Sequence, residues 1–464
     1  MPAQPKPLFD SSEALFAAAS GIVLRLRDAG HATLLAGGCV RDALLGRPLQ
    51  DIDIATRATP EEVARLFPGE TVAVGKSFGV VIVSRQGKSF EVATFRADGP
   101  YTDGRRPDSV RFTDASEDAK RRDFTINGLF YDPLSGEVLD YVGGRADLSA
   151  GIVRAIGDPS ARFREDHLRL LRAVRFTAVL GFSLDPRTAE AARQTAPLLA
   201  SVSAERIGIE FTRMLCEAPR PSRMLDLLLD LRLLQVFLPE VAALRGVPQP
   251  PAYHPEGDVW THTRLMLDAV APPRDPVLAY AVLLHDVGKP PTCAFPEDGT
   301  PPANLPRFPN HARVGAELAR AILIRLRRPT EWMEAVTAAI ERHMTFSEVR
   351  NMRPSRLRRF MGARTFPLEL ELHRLDVSCS HGKTDLLAFL ESKRSEFESE
   401  PVLPNPWVRG RDLLALGIPE GPELGRWLRR AYDAQLDARF ADREALLDWV
   451  RAERADASAD GDSP

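Results

Sequence analysis

The chain has 464 residues, 44% of them hydrophobic and 27% charged, with a formal net charge of -3 at pH 7. That length carries several domains with sizeable cores, and a near-neutral charge excludes a wholly basic nucleic-acid coat while leaving room for a local basic surface. The four cysteines, Cys39, Cys216, Cys293 and Cys379, form no CxxC pair, which excludes a cysteine zinc module and favours a reducing compartment over a disulfide scaffold.

Residues 1–12 carry three prolines and are expected to form a disordered tail. They show no basic segment before a long apolar core, and no apolar run reaches the length of a membrane span. The expectation is therefore no signal peptide, no membrane partner and a cytoplasmic location. Residues 13–29 read as an amphipathic helix. From Ala32 to about Asp140 short β-like runs dominate: TLLAGG, DIDIAT, TVAVG, VVIVS and SFEVATF, with PEEVARLF as a helix between them. After about Ser160 the apolar spacing becomes helical, in HLRLLRAVRFTAVLG, AERIGIEFTRMLC and SRMLDLLLDLRLLQVF. A Pro-rich break, RGVPQPPAYHPEGD, follows at Arg245 to Asp258. The predicted organisation is an α+β domain over 13–150, a helical region over 151–245, a second helical domain over 258–400, a PVLPNPW linker, a short helical region over 408–453 and a small acidic tail over 454–464.

The densest chemical signal is LLAGGCVRDALLGRPLQDIDIAT, Leu34 to Thr56. A strand ends at Gly37-Gly38 and a helix begins, an arrangement that lets backbone approach a phosphate at a helix N-terminus. In DIDIAT, alternation puts Asp51 and Asp53 on one face and Ile52 and Ile54 on the other. Two carboxylates on one strand face suit a Mg²⁺ pair that bridges triphosphate oxygens. A lone DxD reads as a solvated strand edge; the double glycine with Arg41-Asp42 at this offset reverses that reading. Glu91, in SFEVATFR, is a candidate third carboxylate.

AKRRDFTINGLFYDP supplies Arg121 and Arg122 for phosphate oxygens, and Asp123 and Asn127 at i, i+4 for ribose hydroxyls if the segment is helical. ARFREDHLRLLRAVRF supplies Glu165, Asp166, Arg169, Arg172 and Arg175. An Asp acceptor beside an Arg donor can read base edges, whereas an isolated ExxxR is an ordinary salt-bridged helix surface. In order and at this spacing, GGxVRDxLLG with DxD, RRDFTIN and EDxxRxxRAxRF resemble the class II tRNA nucleotidyltransferase and bacterial poly(A) polymerase family over roughly Ala32 to Glu240. The resemblance implies a polymerase-β-like head with a mixed sheet and helices, followed by an all-α neck and body. It also implies that Asp51 and Asp53 hold catalytic metals and that Gly37, Gly38 and Arg41 meet the triphosphate. Arg122 and Asp123 would contact sugar and phosphates, while Glu165, Asp166 and Arg169 would select CTP and then ATP. Phe95 to Ser109 would be a flexible loop for the switch from C to A addition. The family often has Ala where Gly128 stands.

Seven of the nine histidines lie within 128 residues: His254, His262, His285, His311, His343, His373 and His381. In YAVLLHDVGKP an apolar helix delivers His285 and Asp286 near its C-terminal end, a divalent-metal ligand pair. Singly, the other histidines read as polar surface or core residues. With the histidines around it, the motif resembles the HD superfamily of metal-dependent phosphohydrolases, an α-helical domain. That implies His262, His285, Asp286 and Asp376 as ligands of a divalent metal, with Asp385 a rival for the last. His311 and His343 would complete a second site or bind phosphate.

Residues 307–364 hold thirteen arginines and five acidic residues, suited to tRNA phosphates or to a solvated helical face. The expected function is template-independent addition of C, C and A to tRNA from CTP and ATP. A side activity on phosphomonoesters or 2′,3′-cyclic phosphates would belong to the HD domain. The rivals are A-adding, CC-adding or poly(A)-forming enzymes, and, in another class, a phosphohydrolase with a degenerate head, against which the intact DxD argues.

Overall fold

The computed structural model describes residues 8–9, 13–75, 79–295, 305–397 and 401–459. Contacts divide the chain into two compact units. The first spans Met1–Ala242 with Val270–Pro276 and Arg325–Arg328, and the second comprises Ala243–Ala269, Val277–Ile324 and Pro329–Pro464.

The first unit is built on a mixed seven-stranded sheet. Its strands are β1 (Thr33–Ala36), β2 (Asp53–Thr56), β3 (Thr71–Gly75), β4 (Val80–Arg85), β5 (Lys88–Thr94), β8 (Leu129–Asp132) and β9 (Glu137–Asp140), in the order β3-β4-β5-β2-β1-β8-β9. A separate pair, β6 (Arg96–Asp98) and β7 (Val110–Phe112), lies antiparallel. Strand β1 runs antiparallel to β2 and β8, while β2 runs parallel to β5. The short VVIVS and SFEVATF runs pair as a hairpin because β-branched residues alternate across a half-buried surface. Below the sheet, Leu34, Ala36, Ala55, Phe95, Ala119 and Phe130 form one apolar cluster. The first helix, Ala14–Asp28, buries Ile22, Val23 and Leu26.

The end of the expected N-terminal tail is not free. Phe9 is buried, stacks on Phe16 at 4.9 Å between ring centroids and meets Tyr131 at 4.8 Å. Residues 1–7 and 10–12 lie outside the described residues.

Helices then follow at Pro159–Glu165, Arg169–Leu180, Pro186–Thr195, Ala204–Glu217 and Pro221–Asp230. The single helix expected through SRMLDLLLDLRLLQVF is broken. Arg232 takes a positive φ of 60°, and the amides of Arg232 and Leu233 close back onto the carbonyls of Leu229 and Leu228. A second, short helix, Leu234–Phe237, resumes after the break.

The second unit is helical. Val259–Ala269, Pro276–Leu284, His311–Arg325, Thr330–Arg342 and Phe366–Cys379 carry or adjoin the histidines. The C-terminal region packs its own core around Val408, Leu413, Trp427, Leu446 and Val450. Its last helix, Arg443–Ala459, runs beyond the expected end at 453 and into the expected acidic tail. Among the described residues, no helix is long and apolar enough to cross a membrane.

Candidate active sites of the two units

In the first unit a cavity of about 700 Å³ opens beside the β1–helix turn. Gly37 caps the helix Gly38–Leu44 with φ at 74°, a conformation that favours glycine. A Cβ there would also come within 2.8 Å of Arg122 Nη1, the movable end of a side chain, so the backbone conformation is the stronger reason for glycine. On DIDIAT the alternation holds: Ile52 and Ile54 are buried, while Asp51 and Asp53 keep exposed surface on the cavity side. Glu91 joins them, because β5 lies beside β2 with Val92 paired to Ile54. Desolvation first, then the charges of Glu91 and Asp51, push the Asp53 carboxyl up to about 6, against the opposing pull of Arg122. The charges of Glu91 and Asp51 both act on Asp53, and a cation at that carboxylate would relieve the repulsion. Carboxylate oxygens are the donors that suit a hard divalent cation.

The other cavity walls are an ordered chain of charges. Arg41 grips Asp42 with Nε and Nη2 (2.9 and 2.8 Å) and donates through Nη1 to Asn127 Oδ1 at 2.7 Å. Asn127 donates to Asp123 Oδ1 at 3.0 Å, and Arg172 donates to Asp123 Oδ2 at 2.8 Å. Burial would raise the Asp123 pKa, but Arg172, Asn127 and Arg169 outweigh it and hold it at about 2. The RRDFTIN segment is not the helix that i, i+4 spacing presumed. It is a bend followed by a short 3-10 turn, Thr125–Asn127, and Asp123 reaches Asn127 by direct hydrogen bond instead.

Two of the expected site residues, Arg122 and Glu165, are engaged by neighbouring charges, and Arg122 also lines the cavity. Arg122, assigned to phosphate, is held by the buried Asp118 through Nε and Nη2 (3.1 and 2.9 Å). Of the three base-reading candidates, Asp166 and Arg169 line the cavity; among the described residues Glu165 does not. Glu165 instead fixes Arg169, accepting from Nη1 at 2.6 Å. Asp166 is held by Arg206 Nη2, at 3.0 and 3.1 Å from its two oxygens. Arg175 donates to Glu210 at 2.6 Å. Asp118, Arg206 and Glu210 were not singled out by sequence. Glu210 carried a signal: it sits three residues after Ile207 and four before Met214, on the buried face of its helix, where a charge needs a partner. The expected flexible loop is tied down here by the β6–β7 pairing and by Gly104, whose carbonyl accepts from the His167 amide at 3.0 Å.

In the second unit a cavity of about 620 Å³ is lined by His285, Asp286, His311, His343 and Asp376. The helix Pro276–Leu284 stops one residue before His285, and the His-Asp pair sits in the following turn. Gly288 is required there, since a Cβ would lie 2.1 Å from the His311 carbonyl oxygen. His285, His311 and His343 each place Nδ1 on the carbonyl of the residue three before: Val282 (2.9 Å), Phe308 (2.9 Å) and Ile340 (2.6 Å). That contact fixes the proton on Nδ1 and leaves Nε2 as a lone pair. The Nε2 atoms of His311 and His343 then face each other at 3.2 Å, two acceptors with no proton between them. Burial pushes His343 down to about 4, so protonation does not resolve the conflict near neutrality.

His262 Nε2 lies 3.0 Å from Asp376 Oδ1, and its Nδ1 lies 2.6 Å from Glu256 Oε1. Neither of these contacts has hydrogen-bond geometry, and the buried His285 Nε2 and both Asp286 oxygens have no hydrogen-bond partner among the described residues. Burial opposes protonation of His262, yet Asp376 and Glu256 raise it to about 9. His285 Nε2 and Lys289 Nζ do lie 3.0 and 2.7 Å from Asp286 Oδ2, and imidazole nitrogens and carboxylate oxygens gathered this closely fit a divalent metal. His262, His285 and Asp286 form one group with ligand atoms within 4.8 Å of one another, and Asp286, His311 and His343 form another. Asp376 rather than Asp385 stands against His262. Glu256, Gln249 and Lys289 were missed in sequence; the first two belong to the Pro-rich break, whose irregular backbone gives no periodic signal.

Family models match in series: the Poly A polymerase head domain over residues 33–154, the probable RNA and SrmB-binding site of polymerase A over 181–244, and the HD domain over 257–377. The CCA-adding enzyme of Geobacillus stearothermophilus is 35% identical over 428 residues, covering 90% of this chain and 91% of that protein. The chain belongs to the CCA-adding enzyme family. Another CCA-adding enzyme, from Bacillus velezensis, is 49% identical over 201 residues, 43% of this chain and 50% of its own. Among solved structures, the Bacillus stearothermophilus CCA-adding enzyme in complex with CTP aligns with a TM-score of 0.69 and 28% identity, over 97% of this chain and all (100%) of that one. The Thermotoga maritima CCA-adding enzyme complexed with tRNA shares the fold, with a TM-score of 0.59 at 19% identity over 96% of this chain and 97% of that one.

Proposed function

We infer that the chain adds C, C and A to the 3′ ends of tRNA from CTP and ATP without a nucleic-acid template. The observation that carries this reading is one cavity in which Asp51 and Asp53 face arginine walls and share the space with Asp166 and Arg169. The first pair suits the triphosphate end of a nucleotide, and the second pair suits a base edge. Mg²⁺ held by Asp51 and Asp53, with Glu91 beside them, would neutralise triphosphate charge and favour ionisation of the attacking hydroxyl. The RNA 3′-hydroxyl attacks the α-phosphorus and pyrophosphate leaves. Gly37, Gly38 and Arg41 receive the triphosphate. Asn127 and Arg172 are held for the nucleotide by Asp123, with Arg122 behind the glycine turn. Glu165 acts through Arg169. The chain works in the cytoplasm in this reading, where tRNA and nucleotides are at hand.

Replacing Asp51 or Asp53 by Ala tests the assignment. Incorporation of CMP into a tRNA lacking CCA should be lost, with far-ultraviolet circular dichroism unchanged. Near-normal incorporation with Mg²⁺ present would contradict it. The same head motifs serve A-adding, CC-adding and poly(A)-forming enzymes, and the nucleotide choice of the wild-type chain separates these.

A second activity is favoured by the facing Nε2 atoms of His311 and His343. We propose that the second unit is a phosphohydrolase acting on phosphomonoesters or 2′,3′-cyclic phosphates. A divalent metal at His262, His285, Asp286 and Asp376 would supply Lewis-acid activation of water and neutralise charge at phosphorus.

A further inference from the structure

Gln249 and Lys289 lie on the wall of the histidine cavity, one from the Pro-rich segment and one from the turn after His285-Asp286. Both are buried, at 5% and 7% exposure. Lys289 Nζ lies 2.7 Å from Asp286 Oδ2 and donates to Gln249 Oε1 at 2.6 Å. It also sits 5.5 Å from the centroid of the Phe308 ring. An ammonium has only donors, so the amide oxygen of Gln249 must be the atom that faces it. The amide nitrogen is thereby turned the other way. That Nε2 is shielded from solvent and has no acceptor among the described residues. A buried donor left unmatched is costly, and in a residue on the wall of a cavity, beside a cation, its natural partner is an anionic acceptor.

We propose that Lys289 and Gln249 form an oxyanion seat in this cavity, taking a non-bridging oxygen of a phosphate ester or of inorganic phosphate. The proposal rests on the phosphohydrolase reading of the second unit and names the group that holds its substrate. Gln249 has two parts in it. Its oxygen holds the ammonium at the wall, and its nitrogen donates to the bound phosphoryl oxygen. Asp286 keeps the ammonium beside the metal ligands, so the seat and the ligand set share one carboxylate. Pro248 and Pro250 flank Gln249 and restrict the backbone that presents it.

Two substitutions separate these parts. Gln249→Ala removes both. Gln249→Glu keeps an acceptor facing Lys289 and replaces the donor by a second oxygen, which repels phosphate. The full-length protein loaded with Mn²⁺ is titrated with inorganic phosphate by calorimetry, with bound metal quantified and the melting temperature recorded. The expected result is phosphate binding by wild type and binding about tenfold weaker or worse in both variants, at unchanged metal content, in line with loss of one hydrogen bond to a charged group. Absence of phosphate binding by wild type would overturn the seat, as would Gln249→Glu binding within twofold of wild type. Hydrolysis of a 2′,3′-cyclic nucleotide, measured on the same preparations, keeps the two readings apart. Phosphate binding that depends on Gln249 in a protein without hydrolysis removes the phosphohydrolase reading and keeps the seat. Hydrolysis with phosphate binding indifferent to Gln249 does the reverse.

Discussion

Asp166 and Arg169 are three residues apart, yet different partners hold them: Arg206 for the carboxylate and Glu165 for the guanidinium. An acceptor and a donor fixed from outside the cavity can discriminate bases without reorganising for each nucleotide. Asp166→Ala and Arg169→Ala should therefore relax the choice of CTP and ATP over UTP and GTP by about 1–3 kcal/mol, the worth of a good bidentate base contact. Competition assays with the four nucleotides measure this; unchanged rejection of UTP and GTP would place base reading elsewhere. Much of this site was legible residue by residue. The period-2 alternation of DIDIAT put both aspartates on one side; Asp53 opens β2, Asp51 lies just before it, and both line the cavity. Arg206 and Glu210 were harder to see, because each pairs with a charge from a distant part of the chain, Asp166 and Arg175, whereas Asp118 stands only four residues before Arg122, at ordinary helical spacing.

Among the elements, the Pro-rich segment Arg245–Asp258 departs furthest from its sequence reading. Proline-rich irregular backbone looks like a boundary, and here the whole segment falls inside the second unit, which takes up the chain at Ala243. It also delivers Gln249, His254 and Glu256 to the histidine cavity and its surroundings. Glu256 meets Nδ1 of His262 on the side away from Asp376, the place of a carboxylate that orients a metal-binding imidazole. Glu256→Gln should weaken divalent-metal affinity of the second unit by roughly 10–100-fold, the usual cost of losing such an outer partner. Calorimetric titration of metal-stripped protein with Mn²⁺ measures it, and an affinity equal to wild type would reduce Glu256 to a surface partner of His254. The helices around the cavity were easier to anticipate, since 3.6-residue apolar spacing marks them. The break at Arg232 was not, because a positive φ at a non-glycine residue leaves no mark in the sequence.

At the scale of the whole molecule, each compact unit holds its own cavity, lined by its own set of side chains proposed to hold metal. Division of labour follows. His285→Ala or Asp286→Ala should remove hydrolysis of 2′,3′-cyclic phosphates and leave nucleotide addition mostly unchanged, because the carboxylates of the first unit are untouched. Paired assays on one preparation decide this, and loss of both activities would mean that the units are not independent. The most direct test of the central claim uses three tRNA transcripts, lacking A, CA or CCA, each offered CTP, ATP or both. The account predicts one A on the first from ATP alone, and C then A on the second only with both nucleotides. On the third it predicts C and C from CTP alone, completed by A when ATP is added. Long runs of A, or addition confined to C or to A on every transcript, would contradict it.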